Sequence, residues 1–459
     1  MKKLAIFGGQ AIRKKSFASS VVIDKEERSN VLKVIRNKEF SRFMGSPSQD
    51  IDKQLTMTSR EAVNYKSQYF TFLGGRMIRT FEADFAKKFG TTFAISVNSA
   101  TSGLSTALGA CGIGPGDEVI TTCLSFNATA LSILAFNAIP VFVDVNTENF
   151  CLDPGEVERK ISKKTKAILV VHLLGNAADM EQIMKIAKKH RLAVIEDCAQ
   201  APGTRYKDKY VGTIGDIGVF SFQETKNITT GEGGMIITNN SKYAKKCRLI
   251  RNHGESIPDA NTSKTDLVNN IGFNFRMTEL TAAIGIGQLK KISENNRIRN
   301  QNARYLMKRL QGLSGLNIPE ATLRRGTICH IFPLIYDSKI TGVKREVVVD
   351  ALKAEGIPVG TGYLRLMPEN PIFLRKVSYG DKGCPFSCKF YNKKINYSAK
   401  DYPVASKLIY DRFIWFYHIN RPNTTEDMED VIKAFDKIFS NINSLRNYNR
   451  KKSETMYKW

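Results

Sequence analysis

Nothing in the 459 residues approaches the roughly 18-residue apolar run that a membrane span needs. The N-terminus, MKKLAIFGGQ, is basic, but its apolar stretch runs only from Leu4 to Phe7. That is too short for a secretory signal, so a cytoplasmic location is expected. Histidine is scarce, and its five copies show no ligand-like spacing, so no metal site is expected. The cysteines, at 111, 123, 151, 198, 247, 329, 384 and 388, are scattered. Only Cys384 and Cys388 lie close, as a C-x3-C without the second pair that a zinc site uses. Reduced, mostly buried thiols are the plain reading for a cytoplasmic chain. Acids are also in deficit, 44 against 69 Lys and Arg, leaving a net charge of +25. The basic residues are spread along the chain and mixed with acids, and the dense clusters are short: Arg13 to Lys15 and Arg450 to Lys452. No nucleic acid partner is expected on this pattern, whereas a positive field would draw in an anionic substrate.

The length accommodates two domains, and the composition is that of an ordinary globular chain. Its centre is the stretch from 192 to 239. Leu192 to Ile195 is a short apolar run ending on Glu196 and Asp197; Ile217 to Phe222 is a second, leading to Thr225-Lys226-Asn227. Gly231, Gly233 and Gly234 precede a third, Met235 to Ile237. Such runs, bounded by Gly, Asp and Asn, read as buried strands. Ligands of an open parallel sheet gather beyond the carboxyl ends of its strands. Asp197 and Lys226 would each sit at or just past such an end. One acid and one amine facing one pocket is what pyridoxal phosphate (PLP) requires: a lysine for the Schiff base and a carboxylate to keep the pyridine nitrogen protonated. The lysine must also lose its proton, which burial or a neighbouring cation favours.

The chain resembles the PLP-dependent sugar aminotransferases of the DegT/StrS type, whose pattern runs E-D-x-A-Q, G-D, S-F-x-x-x-K-N, G-E-G-G. Here these are Glu196-Asp197-Cys198-Ala199-Gln200, Gly215-Asp216, Ser221-Phe222-Gln223-Glu224-Thr225-Lys226-Asn227 and Gly231-Glu232-Gly233-Gly234. The resemblance implies that Lys226 carries the Schiff base and Asp197 pairs with the pyridine nitrogen. It also implies that Gln200 lies near the ring hydroxyl and that Ser221 binds the phosphate. The pattern departs at Pro202, where the family often has histidine. A family branch that runs a dehydration has histidine in place of this lysine, and Lys226 argues against that branch.

Upstream, Phe93 to Val97 reads as a strand, and Leu104, Ala107, Leu108 and Cys111 keep one helix face. Ser99 to Ser102 therefore fall at a strand-to-helix turn, whose free N–H groups and dipole suit a phosphate. The resemblance aligns Ala100 and Thr101 with phosphate contacts. It places Phe126 on the cofactor ring, and it makes Asn274, in Gly272-Phe273-Asn274-Phe275-Arg276-Met277, a phosphate contact reaching the neighbouring subunit of a homodimer. Further strands are expected at Glu118 to Thr122, Val141 to Val145 and Ala167 to Leu174. Helices are expected at Lys25 to Arg36, Met180 to His190 and about Glu294 to Leu313, with another opening after Met277. A closing helix carries the stripe Met428 to Ile442, with Thr424 and Asp427 as a capping pair.

The implied fold is α/β: a fold-type-I large domain with a mainly parallel seven-stranded sheet, and a smaller α+β C-terminal domain. Expected divisions are 1–73 (arm, helix and insertion), 74–292 (large domain), 293–445 (small domain) and 446–459 (a disordered basic tail). Residues 46–72 look like an insertion and 376–408 like a long loop. The implied activity is transfer of an amino group from an amino acid, glutamate or glutamine, to a keto-sugar linked to a nucleotide, for polysaccharide or amino-sugar synthesis. Gly8-Gly9 with Arg13 resembles the keto-inositol branch, so an unlinked ketone is the alternative. A catalytically silent regulator is a third reading, against which Lys226, Asp197 and Ser221 weigh.

Overall fold

The computed structural model describes residues 2–43, 51–66, 71–254, 271–363 and 365–448. In chain order the strands are β1 (Phe93–Val97), β2 (Glu118–Thr122), β3 (Ile139–Val143), β4 (Thr165–Val171) and β5 (Ala193–Asp197). There follow β6 (Arg205–Tyr206), β7 (Lys209–Tyr210), β8 (Ile217–Ser221) and β9 (Gly234–Thr238). The last four are β10 (Leu316–Asn317), β11 (Phe332–Tyr336), β12 (Val359–Thr361) and β13 (Phe413–Phe416).

Seven strands form one sheet in the order β1-β9-β8-β5-β4-β2-β3. Strand β9 runs antiparallel to both its neighbours, and the remaining pairs are parallel. Both faces are covered, as near-continuous apolar strands demand. On one side Phe93, Ile95, Val97, Ile217 and Val219 pack with the helices Ala100–Ala110 and Ser241–Arg251. On the other, Ala94, Phe220 and Phe222 meet Phe81 and Phe85 of the helix Arg76–Phe89. Strands β6 and β7 make a small hairpin, and β10-β11-β13-β12 form an antiparallel four-stranded sheet.

Strands β1 and β2 and the helix Met180–His190 have the bounds expected from the sequence. Strand β3 begins two residues before its expected start because Pro140, a poor central-strand residue, is tolerated on the sheet's edge. Strand β4 stops at Val171 because the chain turns there, with Leu174 at φ 58°. The two helices expected around 280–313 are one helix, Glu279–Leu310, running unbroken through 292/293. No proline interrupts it, and Ser293, inside it, accepts a hydrogen bond from Lys88 Nζ. The closing helix is Thr425–Ser440, with the expected reciprocal cap between Thr424 and Asp427.

Residues 46–72 contain two short helices, Ile51–Thr56 and Ser59–Asn64, beside residues 46–50 and 67–70, which lie outside the described part. Arg248, fully buried, anchors the first helix by donating from Nη1 to the carbonyls of Gln54, Leu55 and Met57. Segment 376–408 is largely irregular, with short helices only near its end, at Ala399–Asp401 and Pro403–Lys407 and in a turn that starts at Leu408. It is nevertheless tied to the sheet: Tyr391 donates to Glu118, and Tyr397 to the Pro140 carbonyl. Arg13 secures the N-terminal arm through ion pairs with Asp427 and Asp430 at 2.8 Å each. Of the expected basic tail, residues 449–459 lie outside the described part. All eight cysteines are free. Among the described residues no helix is long and apolar enough to cross a membrane.

Candidate active site

The sheet delivers Asp197 as the last residue of β5, and Lys226 follows β8 by one short turn, closed by a bond from its own N–H to the Gln223 carbonyl at 2.8 Å. The Asp197 carboxyl is buried. Its Oδ2 accepts from the Thr129 hydroxyl at 3.0 Å and its Oδ1 from the Ala199 N–H at 3.1 Å. Burial pushes it above the usual carboxylate range, against those two bonds and the nearby Lys226 charge. Burial likewise brings the Lys226 amine down to about 8, with Asp197 opposing the shift and the buried Arg299 cation adding to it. Each group thus pays for desolvation and is sensed by the other.

Behind Asp197 the strand is braced. Its neighbour Glu196 accepts from the N–H groups of Gly212, Ile214 and Gly215 and from His172 Nε2 at 2.9 Å. His172 Nδ1 in turn accepts from the Ala178 N–H. His172, Glu196 and Cys198 are close enough to hold a metal ion, yet the first two already spend their polar atoms on one another and on backbone.

Gln200 is also committed to protein partners: Oε1 accepts from the Leu174 N–H at 2.9 Å, and Nε2 donates to the Tyr363 hydroxyl at 2.9 Å. Ser221 ends β8, nearly buried, with its hydroxyl 3.3 Å from the Gln223 N–H. Ser99 caps the helix Ala100–Ala110 by accepting from Ser102 N–H, so Ala100 and Thr101 open the helix with first-turn N–H groups that lack intrahelical partners. Strand β9 begins directly behind this turn. A Cβ on Gly234 would lie 2.7 Å from the Ser99 carbonyl carbon and 2.8 Å from Ala100 N, so glycine is what permits the approach. Phe126 precedes Thr129 by one turn, and the residue is 68% exposed, unusual for an aromatic flanked by core. Asn274 is exposed, and its Oδ1 accepts from Arg276 Nε at 2.8 Å. Its backbone joins that of Asn252, and the Asn98 amide reaches its carbonyl at 3.5 Å, so its segment borders the Ser99 turn.

These residues fit PLP. Asp197 is an acid whose two bonding partners are both neutral, so a buried pyridinium N–H would supply its missing countercharge. The turn at Ala100 offers unpaired N–H groups to a phosphate.

Five neighbours are not singled out from the sequence: Thr129, Arg299, His330, Tyr363 and Tyr417. Thr129 lies inside the stretch Ser125 to Thr129 and could have been found as a hydroxyl one helical turn after Phe126. The other four come from more than 70 residues downstream of Lys226, on the long helix and at the ends of the four-stranded sheet. Pro202, the departure from the family pattern, uses its carbonyl to accept from Asn296 Nδ2 at 2.8 Å.

A mainly parallel sheet of this order, with acid and amine brought to one edge, is the framework of PLP enzymes of fold type I, and this chain is a PLP-dependent aminotransferase. Residues 50–401 match the DegT/DnrJ/EryC1/StrS aminotransferase family, and the chain belongs to that family. It is 36% identical over 367 residues to the spore coat polysaccharide biosynthesis protein SpsC of Bacillus subtilis, covering 78% of this chain and 89% of that one. It is 35% identical over 381 residues to the L-glutamine:2-deoxy-scyllo-inosose aminotransferase of Streptoalloteichus tenebrarius, covering 80% and 87%. Among solved structures, NtdA of Bacillus subtilis with bound cofactor PMP superposes with a TM-score of 0.69 at 26% identity, over 94% of this chain and 87% of that one.

Proposed function

We propose that the enzyme transfers an amino group from glutamate or glutamine to the ketone of a nucleotide-linked keto-sugar, in the synthesis of a polysaccharide or an amino-sugar. The observation that carries the chemistry is the placing of the buried Asp197 and the half-buried Lys226 at one edge of the sheet, each altering the other's ionisation. PLP, when bound, supplies an aldehyde that takes up the amine and a protonated ring that draws electrons from the substrate carbon.

In this reading the residues divide the work. Asp197 holds the proton on the pyridine nitrogen, and Thr129 and Ala199 fix its carboxylate. Lys226 Nζ, of lowered basicity, binds the cofactor and then acts as the base that removes and returns the proton at the amine-bearing carbon. The N–H groups of Ala100 and Thr101 and the Ser221 hydroxyl bind the phosphate, and Phe126 covers one face of the ring. Gln200, held by Leu174 and Tyr363, borders the ring hydroxyl. Asn274, exposed on its own chain, completes the phosphate site of a partner in a homodimer. The large and small domains divide near 292/293, with the helix Glu279–Leu310 as their shared axis.

The sugar reading draws on SpsC and its part in polysaccharide biosynthesis. A keto-cyclitol acceptor is the second reading, supported by the inosose aminotransferase relative and by the Gly8-Gly9 start. The test is a panel of nucleotide-linked keto-sugars and free inososes, each offered with glutamine and with glutamate. Amine transfer to a nucleotide-linked acceptor supports the first reading; transfer to inososes alone replaces it with the second.

A further inference from the structure

We propose that His330 and Tyr417, seated on Arg299, form a clamp that grips the chain on both sides of Lys226 and positions its amine. The inference rests on Lys226 being the cofactor lysine. Tyr417 donates its hydroxyl hydrogen bond to the carbonyl of Thr225, the residue before the lysine. His330 bonds through Nδ1 to Oδ1 of Asn227, the residue after it, at 2.8 Å. Asn227 Nδ2 donates to Asn296 Oδ1 at 3.0 Å, which fixes its amide orientation and leaves Oδ1 as the acceptor. The imidazole therefore carries its proton on Nδ1. It is neutral, because burial and the charges of Lys226 and Arg299 push its pKa well below the usual value.

The two jaws come from one place. His330 precedes β11, Tyr417 follows β13, and these strands pair with Phe332 opposite Phe416. The two rings meet edge to face, 6.3 Å apart at 83°. Arg299, buried on the long helix, donates from Nη1 to the His330 carbonyl at 2.9 Å, and its guanidinium lies 5.8 Å from the Tyr417 ring centre. Asn296, one turn earlier on that helix, ties Asn227 onward to the Pro202 carbonyl.

The lysine gains from such a hold. Glu224 and Thr225 are exposed, and the bonds inside the turn are all local to Gln223: its carbonyl accepts from the Lys226 N–H, and its Oε1 from the Thr225 N–H and hydroxyl. An amine that must meet a fixed carbon loses rate when its backbone wanders. The clamp also makes the position of the four-stranded sheet felt at the lysine, so that any shift of that sheet relative to the seven-stranded one moves Thr225 and Asn227 together.

The test uses the full chain, freed of cofactor and then offered PLP. Tyr417→Phe removes one half-buried oxygen and leaves the ring in place. We expect it to slow capture of PLP on Lys226, followed by visible absorbance, by about two- to tenfold, the weight of one hydrogen bond. After loading, kcat should fall by a similar factor, with KM for the amino donor within about twofold of wild type. His330→Gln, which retains an N–H donor, should stay closer to wild type in capture rate than His330→Ala. If the His330 variants fail to fold, Tyr417→Phe decides alone. A Tyr417→Phe protein that captures PLP and turns over as wild type does, whether or not it melts earlier, overturns the clamp. A wild-type chain that captures PLP on another lysine, or on none, overturns the underlying reading instead.

Discussion

Replacing Asp197 with Asn changes one atom and removes one charge. The fold should survive it. The Asn carbonyl can still accept from the Ala199 N–H, and its NH2 can donate to the Thr129 hydroxyl, which is free to turn its own proton toward Ser125, 3.0 Å away. With both neighbours still bonded, the cost to stability should be about 1 kcal/mol. The loss falls on the pyridine nitrogen. A charge-assisted hydrogen bond contributes about 1.5–3 kcal/mol, which corresponds to about one to two units in the pKa of the ring nitrogen. Only the protonated ring is an effective electron sink, so kcat should drop about ten- to hundredfold or more while the cofactor stays bound. The assay pairs single-turnover rates with cofactor content and thermal melting on the same sample. Turnover within about twofold of wild type, with full cofactor content, would refute the role of Asp197. Loss of fold or of cofactor in place of turnover would refute the reasoning from its hydrogen bonds.

Other consequences follow from the same geometry. The Lys226 amine must be neutral to react, so capture of PLP by the cofactor-free chain should rise about tenfold per pH unit below about 8 and level off above it. A rate independent of pH between 6 and 8, on the order of one value throughout, would mean that the amine is already neutral or is not the nucleophile. Glu82 and Arg251 form a fully buried ion pair at 2.8 Å, and Glu82 also accepts from Ser96. Glu82→Gln should therefore cost about 3–5 kcal/mol in denaturant unfolding, because it strands a buried guanidinium. Mixing Lys226→Ala with Asn274→Ala chains and allowing subunits to exchange should restore activity if Asn274 acts across a dimer interface. In a mixed dimer one site would carry both lesions and the other neither. If Asn274 serves its own chain, no activity returns.

The parts of this molecule legible in the sequence are those whose signal is local. Strand β1 is five buried residues between a turn and a helix, and the reciprocal Thr424–Asp427 cap stands within four residues of itself. Asp197 and Lys226 could be placed together because strand ends of a parallel sheet share one edge, whatever the sequence distance. What stayed hidden is non-local. Nothing around His330 or Tyr417 announces that β11 and β13 will carry them to either side of Lys226. Arg299 reads as one more polar position on a long helix until its burial under those residues is seen. The continuity of the helix Glu279–Leu310 was hidden for a related reason: it packs against the helices Lys25–Asn37, Arg76–Phe89 and Thr425–Ser440, all far from it in sequence. Arg248 likewise gives no hint that its guanidinium will hold the carbonyls of a helix almost 200 residues earlier.

The central claim, that the pocket at the ends of β5 and β8 is where the cofactor is held, is tested most directly by borohydride reduction of the loaded enzyme followed by peptide mapping. The account predicts a single stable adduct on Lys226, absent from Lys226→Ala. An adduct on any other lysine, or a purified chain that takes up PLP without forming one, would contradict it.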